Sequence, residues 1–328
     1  DSAWVREEFE KYQNNRPCGA CHGYRLKPEA LAVKIAGSHI GQVTELSIRE
    51  ALAIIHAEDR RCVEAAEACA PEVARAIERV VASFEAGGRL FYVGAGTSGR
   101  LGVLDASEQP PTFGVAPTMV QGIIAGGYEA LHRSVEGAED DPSAGAAAIA
   151  ERGIDARDTV CGITTGGRAP YVLGSLAEAR RRGAGTILLT CTPPLEGEEE
   201  LAGVQIHALV GPEVVTGSTR MKAGTVTKLI LNQITTVAMI RIGKVYENLM
   251  VDVRPTNRKL LDRAVRIVMT LTGLGREGAA ELLERAGRDV KVALVMQRAG
   301  VGAEEARRRI AAAGGHVARA IAATGAGE

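Results

Sequence analysis

Residues 89–113 read RLFYVGAGTSGRLGVLDASEQPPTF, and this stretch decides the fold. Arg89 to Val93 is a short run of apolar, aromatic and β-branched residues, the pattern of a buried strand. Gly94, Gly96 and Gly99 follow at once, with Thr97 and Ser98 between the last two. A helix is expected to start near Thr97 or Ser98, so that free N–H groups and hydroxyls converge on a volume suited to an anion. A dinucleotide site with this glycine spacing would need an acidic residue about 20 positions on. The next candidate strand, 119–125, runs into Gly126-Gly127 without one. A P-loop fails as well, because Arg100-Leu101 stand where Lys and Ser/Thr are required. What remains is a monophosphate, as on a phosphosugar, held by Gly96, Thr97 and Ser98; the plain alternative is an ordinary tight turn. Pro110 and Pro111 are expected to end the helix, turn Gln109 extended and fix Glu108 on a rigid loop.

Working outward, further strands are expected at 119–125, 159–164, 185–190 and 204–210. Helices are expected between them at about 128–136, 143–152 and 171–182. Such alternation implies right-handed βαβ units and a doubly wound parallel sheet with helices on both faces. Ligands gather at the carboxyl ends of such strands, where Gly94–Gly99 and Thr164–Arg168 both lie. Before the sheet, Ser47 and Glu50 have capping-box spacing, and Ala-rich helices are expected at 47–57 and 64–85, with a break at Pro71. Thr216, Ser218 and Thr219 are candidate N-caps for a long helix running to about Ile242. From about Leu260 the pattern is purely helical. Glu196 to Glu200 reads as an acidic surface loop, and the acidic run from Glu136 to Asp141 as a solvated helix end.

The totals bound the function. A chain of 328 residues holds one large α/β domain and a helical appendage. With 46% hydrophobic but only 3% aromatic residues, the core must be built from Ala, Val, Leu and Ile. A net charge of −1 argues against a nucleic-acid surface. No apolar run reaches the roughly 18 residues of a membrane helix. The opening DSAWVREEFEKY lacks a signal-peptide pattern, and six scattered cysteines suit a reducing, cytoplasmic setting.

VGAGTSGRLGVLDASE followed by PPTFG resembles the N-acetylmuramic acid 6-phosphate etherases of the sugar isomerase (SIS) superfamily, from about residue 46 onward. The resemblance implies an SIS-type five-stranded sheet in 46–258 and a small ubiquitin-associated-like helical bundle in 259–328. It implies a carbon–oxygen lyase that removes D-lactate from N-acetylmuramic acid 6-phosphate, in cell-wall amino sugar recycling, with no cofactor, no metal and a homodimeric state. Its two carboxylates fall on Glu108 and, within VEGAED, on Glu139, 31 residues later. By resemblance Glu139 is the base at C2 and Glu108 the acid at the ether oxygen, although the sequence does not fix which is which. GSTR-M-KAGT suggests a ligand-lining role for Ser218 and Thr219, with Glu213 and Lys222 nearby, while Thr164, Thr165, Gly167 and Arg168 form the second binding loop. Gly166 and Ala169 stand where the family usually has Ser and Thr, and a lost hydrogen bond to a charged group would cost about 1.5–3 kcal/mol. Other readings of the same fold are a phosphosugar sensor without catalysis and a sugar-phosphate isomerase.

Residues 1–45 differ in composition and resemble an internal segment of the excinuclease ABC repair ATPase, without any of its ATP-binding motifs. They read as a foreign leader. Cys18 and Cys21 supply half of a zinc set, with His22 and His39 as weak additions.

Overall fold

The computed structural model describes residues 46–253 and 257–323, together with positions 19, 24, 27–32, 34, 39 and 42. Cys18, Cys21 and His22 lie outside the described residues. The Nδ1 of His39 accepts a hydrogen bond from the N–H of Gln42 at 3.3 Å.

Helix α1 spans Ile48–Ala68 and opens with the expected capping box, Ser47 and Glu50 satisfying each other's backbone N–H groups. It runs unbroken through residues 58–63, where a gap was expected, because Cys62, Ala65 and Ala66 continue its buried face. The break falls at Cys69, and α2 (Ala70–Glu85) starts with Pro71 in its first turn, where no backbone donor is needed.

β1 (Leu90–Gly94) is buried throughout and lies inside a five-stranded parallel sheet with order β2-β1-β3-β4-β5. The other strands are β2 (Val120–Ile124), β3 (Thr159–Ile163), β4 (Gly185–Thr190) and β5 (Val204–His207). Leu90 pairs with Val120 on one side and Thr159 on the other, so the chain leaves β1 one way and returns the other. That reversal between β1 and β3 opens a crevice at their carboxyl ends, and the Gly94–Gly99 and Thr164–Arg168 loops flank it. Strand side chains alternate between two cores. Leu90, Tyr92, Ile163 and Leu189 face α1, α2, α3 and α6, whereas Phe91, Val93, Val160 and Leu188 face α4 and α5. Here α3 is Gly96–Phe113, α4 Pro142–Glu151, α5 Pro170–Arg181 and α6 Lys222–Arg241.

Two local readings are corrected. Pro110 and Pro111 do not end α3 but sit inside its last turn, so Glu108 and Gln109 are helical. Proline's fixed φ is compatible with helix, and the Gln109 side chain donates to the Asp105 carbonyl at 2.8 Å, holding the turn that two missing N–H groups weaken. The helix stops at Gly114 (φ 66°), whose N–H bonds the Pro110 carbonyl. Between β2 and α4 no α-helix forms over 128–136. Gly126 and Gly127, both at positive φ, lead into a 3₁₀ turn, Gly127–Leu131, and Ala138–Asp140 forms another.

The C-terminal helices α7 (Arg258–Thr272), α8 (Arg276–Arg285), α9 (Val290–Ala299), α10 (Ala303–Ala312) and α11 (Val317–Ala322) enclose their own apolar core, which also takes in Val251 and Val253. Asp252 accepts ion pairs from Lys244 at 2.8 Å and from the buried Lys291 of α9 at 2.9 Å, tying the bundle to the sheet domain. Among the described residues no helix is long and apolar enough to cross a membrane.

α3 seats on the sheet through glycines. A methyl group on Gly99 would lie 2.6 Å from both the Gly94 carbonyl oxygen and Ile124 Cγ1, and one on Gly102 2.7 Å from Tyr92 Cβ. Gly99→Ala is therefore expected to cost about 1–3 kcal/mol by overpacking, read as a lower urea midpoint. An unchanged midpoint would mean that the helix can lift away freely.

Between α3 and α6 a polar cluster is buried. Thr235 donates to Asp105 Oδ1 at 3.3 Å, and Asn232, with its amide oriented to suit both neighbours, donates to the same oxygen and accepts from Lys228 Nζ. Burial, above all, raises the Asp105 carboxyl from its ordinary 3.8 to about 6. The fold thus favours the protonated form: no penalty exists below the unfolded value, and one grows from there until pH has risen through the folded value. Relative to Asp105→Asn, wild-type stability should fall by up to about 3 kcal/mol between about pH 3 and pH 7. Urea titrations across that range check this, and a constant difference between the two proteins would assign the dependence to another group.

Candidate functional site

The first element is the start of α3. Ala95, its N-cap, offers no side-chain oxygen, so helix geometry leaves the first N–H groups, at Gly96, Thr97 and Ser98, open. Gly96 takes φ 51°, and Gly94 and Gly99 approach too closely for a methyl group on either, so the chain turns sharply from β1 into these donors. The next side chain of note, Arg100, turns elsewhere: its guanidinium donates to the carbonyls of Ala130 at 2.9 Å and Arg133 at 3.4 Å. It therefore braces the 3₁₀ segment that leads to Glu139.

The second element follows β3. Thr164 is buried, and its hydroxyl accepts the Ala169 N–H at 3.4 Å. The Thr165 carbonyl accepts the Cys191 N–H at 3.0 Å, and Gly167 closes a turn on the Thr164 carbonyl with φ 70°. Arg168 is exposed. A side chain at Gly166 would meet nothing within 4 Å, so a serine there would be sterically free. Ala169 is the N-cap of α5 and supplies no capping oxygen, so the missing hydroxyl at this position is a helix cap as much as a ligand contact.

The third element is the start of α6. Helical structure begins at Lys222, later than the Thr216, Ser218 and Thr219 capping reading implied, and none of those hydroxyls caps it. The buried Glu213 carboxylate does so instead, accepting the N–H groups of Lys222 and Ala223 at 3.0 Å each. Charge-assisted bonds outcompete a neutral hydroxyl at this position. Lys222 is fully buried: its Nζ pairs with the Glu58 carboxylate of α1 and donates to the Val210 carbonyl at 2.9 Å. Glu213 and Lys222 thus anchor the segment carrying Ser218 and Thr219. A methyl on Gly224 would lie 3.6 Å from Thr97 Cγ2, so the first turn of α6 packs beside the glycine loop.

Glu108 and Glu139 are both exposed and are not brought together within one chain. Glu139 sits in the 3₁₀ turn after β2, beside α5. Glu108 lines a groove between α3 and α6 with Leu104, Asp105, Lys228 and Thr236, on the other side of the sheet. Among the described residues no three His, Cys, Asp or Glu side chains are grouped to hold a metal ion.

Sequence reasoning passed over Arg100 and Glu58. Glu58 had a visible signal, since it shares helical spacing with Cys62, Ala65 and Ala66, and a carboxylate on a buried stripe demands a partner.

Residues 72–180 match the glucokinase regulatory protein N-terminal SIS domain. The N-acetylmuramic acid 6-phosphate etherase of Gloeobacter violaceus is 61% identical over 237 residues, spanning 72% of this chain and 77% of that protein. Those of Salinibacter ruber and Mesorhizobium japonicum are each 51% identical, over 80% and 83% of this chain and 85% and 89% of theirs. Among solved structures, a phosphoheptose isomerase from Neisseria gonorrhoeae aligns at 16% identity and TM-score 0.45 over 58% of this chain and 99% of that one, a likeness too loose to bear on function. With two open loops at the sheet's switch point and this identity along most of its length, the chain belongs to the N-acetylmuramic acid 6-phosphate etherase family.

Proposed function

We propose that the protein cleaves the D-lactyl ether of N-acetylmuramic acid 6-phosphate by elimination and rehydration. What supports this is the pairing of β1 with β3, which sets the open amides at the start of α3 and the Thr164–Arg168 loop at neighbouring strand ends, with an acid, Glu139, in the segment after β2. The phosphate binds to Gly96, Thr97 and Ser98, with Ser218 and Thr219 alongside, and its binding energy holds the reacting end in place. In the open-chain sugar the C1 aldehyde acidifies the C2 proton. Glu139 takes that proton, the C3–oxygen bond breaks, and Glu108 protonates the departing lactate oxygen. Water then adds at C3 and a proton returns to C2, giving N-acetylglucosamine 6-phosphate. Two carboxylates in opposite protonation states suffice for this sequence.

The helix sets a condition on the pair. Glu108 lies 12 residues beyond Gly96 on α3, about 18 Å at 1.5 Å per residue, further than a hexose phosphate reaches. The proposal therefore has a homodimer in which Glu108 of one subunit serves the glycine loop and Glu139 of the other. Leu104, Val237 and Ile240 leave the α3–α6 surface partly apolar and exposed, as such a contact needs.

The match to the glucokinase regulatory protein SIS domain keeps a sensor as the second reading. D-Lactate release from N-acetylmuramic acid 6-phosphate separates the two. Glu108→Gln and Glu139→Gln are each expected to lower it by about 10²–10⁴-fold. Mixing the two variants after subunit exchange should restore about a quarter of wild-type activity, because half of the dimers are mixed and each has one intact site. No restoration would put both acids in one subunit. Binding of N-acetylglucosamine 6-phosphate without lactate release would favour the sensor.

A further inference from the structure

Residues 196–200 include three glutamates at 198–200, and one of them is not on the surface. Glu199 and Glu200 are exposed, whereas Glu198 is 3% exposed, at the start of the single-turn helix Glu198–Leu201. Its Oε2 lies 3.4 Å from Nε2 of His207, at the end of β5, and neither carboxylate oxygen has a hydrogen-bond partner. Both groups back the second binding loop. A methyl built on Gly167 would lie 2.8 Å from Leu195 Cδ1, 3.2 Å from Glu198 Oε1 and 3.4 Å from Thr192 Oγ1. Gly167 at φ 70° is thus pressed against the buried carboxylate, and the Cys191 N–H ties the same loop down at the Thr165 carbonyl.

The imidazole's other nitrogen identifies the proton. His207 Nδ1 lies 3.0 Å from the Thr192 carbonyl oxygen, an acceptor only, and 3.0 Å from the Thr190 hydroxyl. Nδ1 therefore carries a hydrogen. If Nε2 carried none, its lone pair would face a buried carboxylate that has nothing else to satisfy it, a costly arrangement. One proton must therefore sit between Nε2 and Oε2, as imidazolium with carboxylate or as imidazole with carboxylic acid. His207 also lines a surface cavity with Cys69, Glu72, Arg75 and Gln205. On the Glu198 side Arg180 of α5 donates to the Glu199 carbonyl at 3.4 Å.

We propose that Glu198 and His207 are a positioning pair for the Thr164–Arg168 loop, whose shared proton keeps the carboxylate tucked behind Gly167 and the loop in its ligand-holding shape. Without that contact Glu198 is a buried acceptor with no partner, and it swings out, taking the support from Gly167. The importance of the loop to catalysis rests on the etherase reading; the latch itself does not.

Amide hydrogen exchange in the full-length protein tests it without a substrate, at the N–H groups of Gly167 and Cys191. In Glu198→Gln and His207→Gln protection relative to the unfolded chain should be lower than in the wild type by about tenfold, the effect of ~1.4 kcal/mol of local stability. The double variant should match either single one, since both break one contact. In the lactate assay both variants should raise KM several-fold with kcat nearly intact. Unchanged loop protection in Glu198→Gln, or single effects that add in the double variant, overturns the proposal. If His207→Gln fails to fold, Glu198→Gln decides alone. A protein without etherase activity but with the expected exchange pattern would sink the functional reading and keep the latch.

Discussion

The architecture depends on how closely α3 approaches β1. At Gly94 and Gly99 backbone meets backbone with no room for a methyl group, and Gly102 and Gly122 repeat the contact against Tyr92 and Val103. This approach sets the direction in which the first N–H groups of α3 point. It also fixes where its far end, with Asp105 and Glu108, lies against α6. A helix one ångström further out would blunt the turn and open the buried Asp105 cluster to water. The glycines thus serve packing and the anion-facing geometry by one means.

The sheet was legible because its signals are local and repeated. Four apolar runs besides β1 fell within a few residues of the observed strands, each flanked by glycine or a polar turn. The α3 prolines misled because their preference against a preceding helical residue is modest, and Gln109, bonded to Asp105, outweighs it. The helix expected over 128–136 failed for the opposite reason. Gly126 and Gly127 impose a left-handed entry that a short, weakly periodic segment cannot override.

Buried charges were the least legible features of the site. In the sequence Lys222 reads as a residue beside the ligand and Glu198 as part of an acidic surface loop, so neither reads as buried. Their burial depends on partners far along the chain: Glu58 lies 164 residues from Lys222. Composition and spacing report what a segment prefers alone, whereas these groups are set by what the fold brings against them. The glycine loop and the Thr164–Arg168 loop, by contrast, follow directly from strand ends, and their meeting point follows from strand order.

The Asp252 linkage has a consequence for how the chain can be divided. Lys244 reaches this carboxylate from the sheet side and Lys291 from the bundle, while Val251 and Val253 on either side of it are buried in the bundle's core. The two cores therefore meet along the backbone of this short segment. A cut just after it would strip the bundle of part of its interior and leave the sheet domain with an apolar stub. The helical end thereby also reaches the rim beside Gly114, whose backbone lies against that of Asp252.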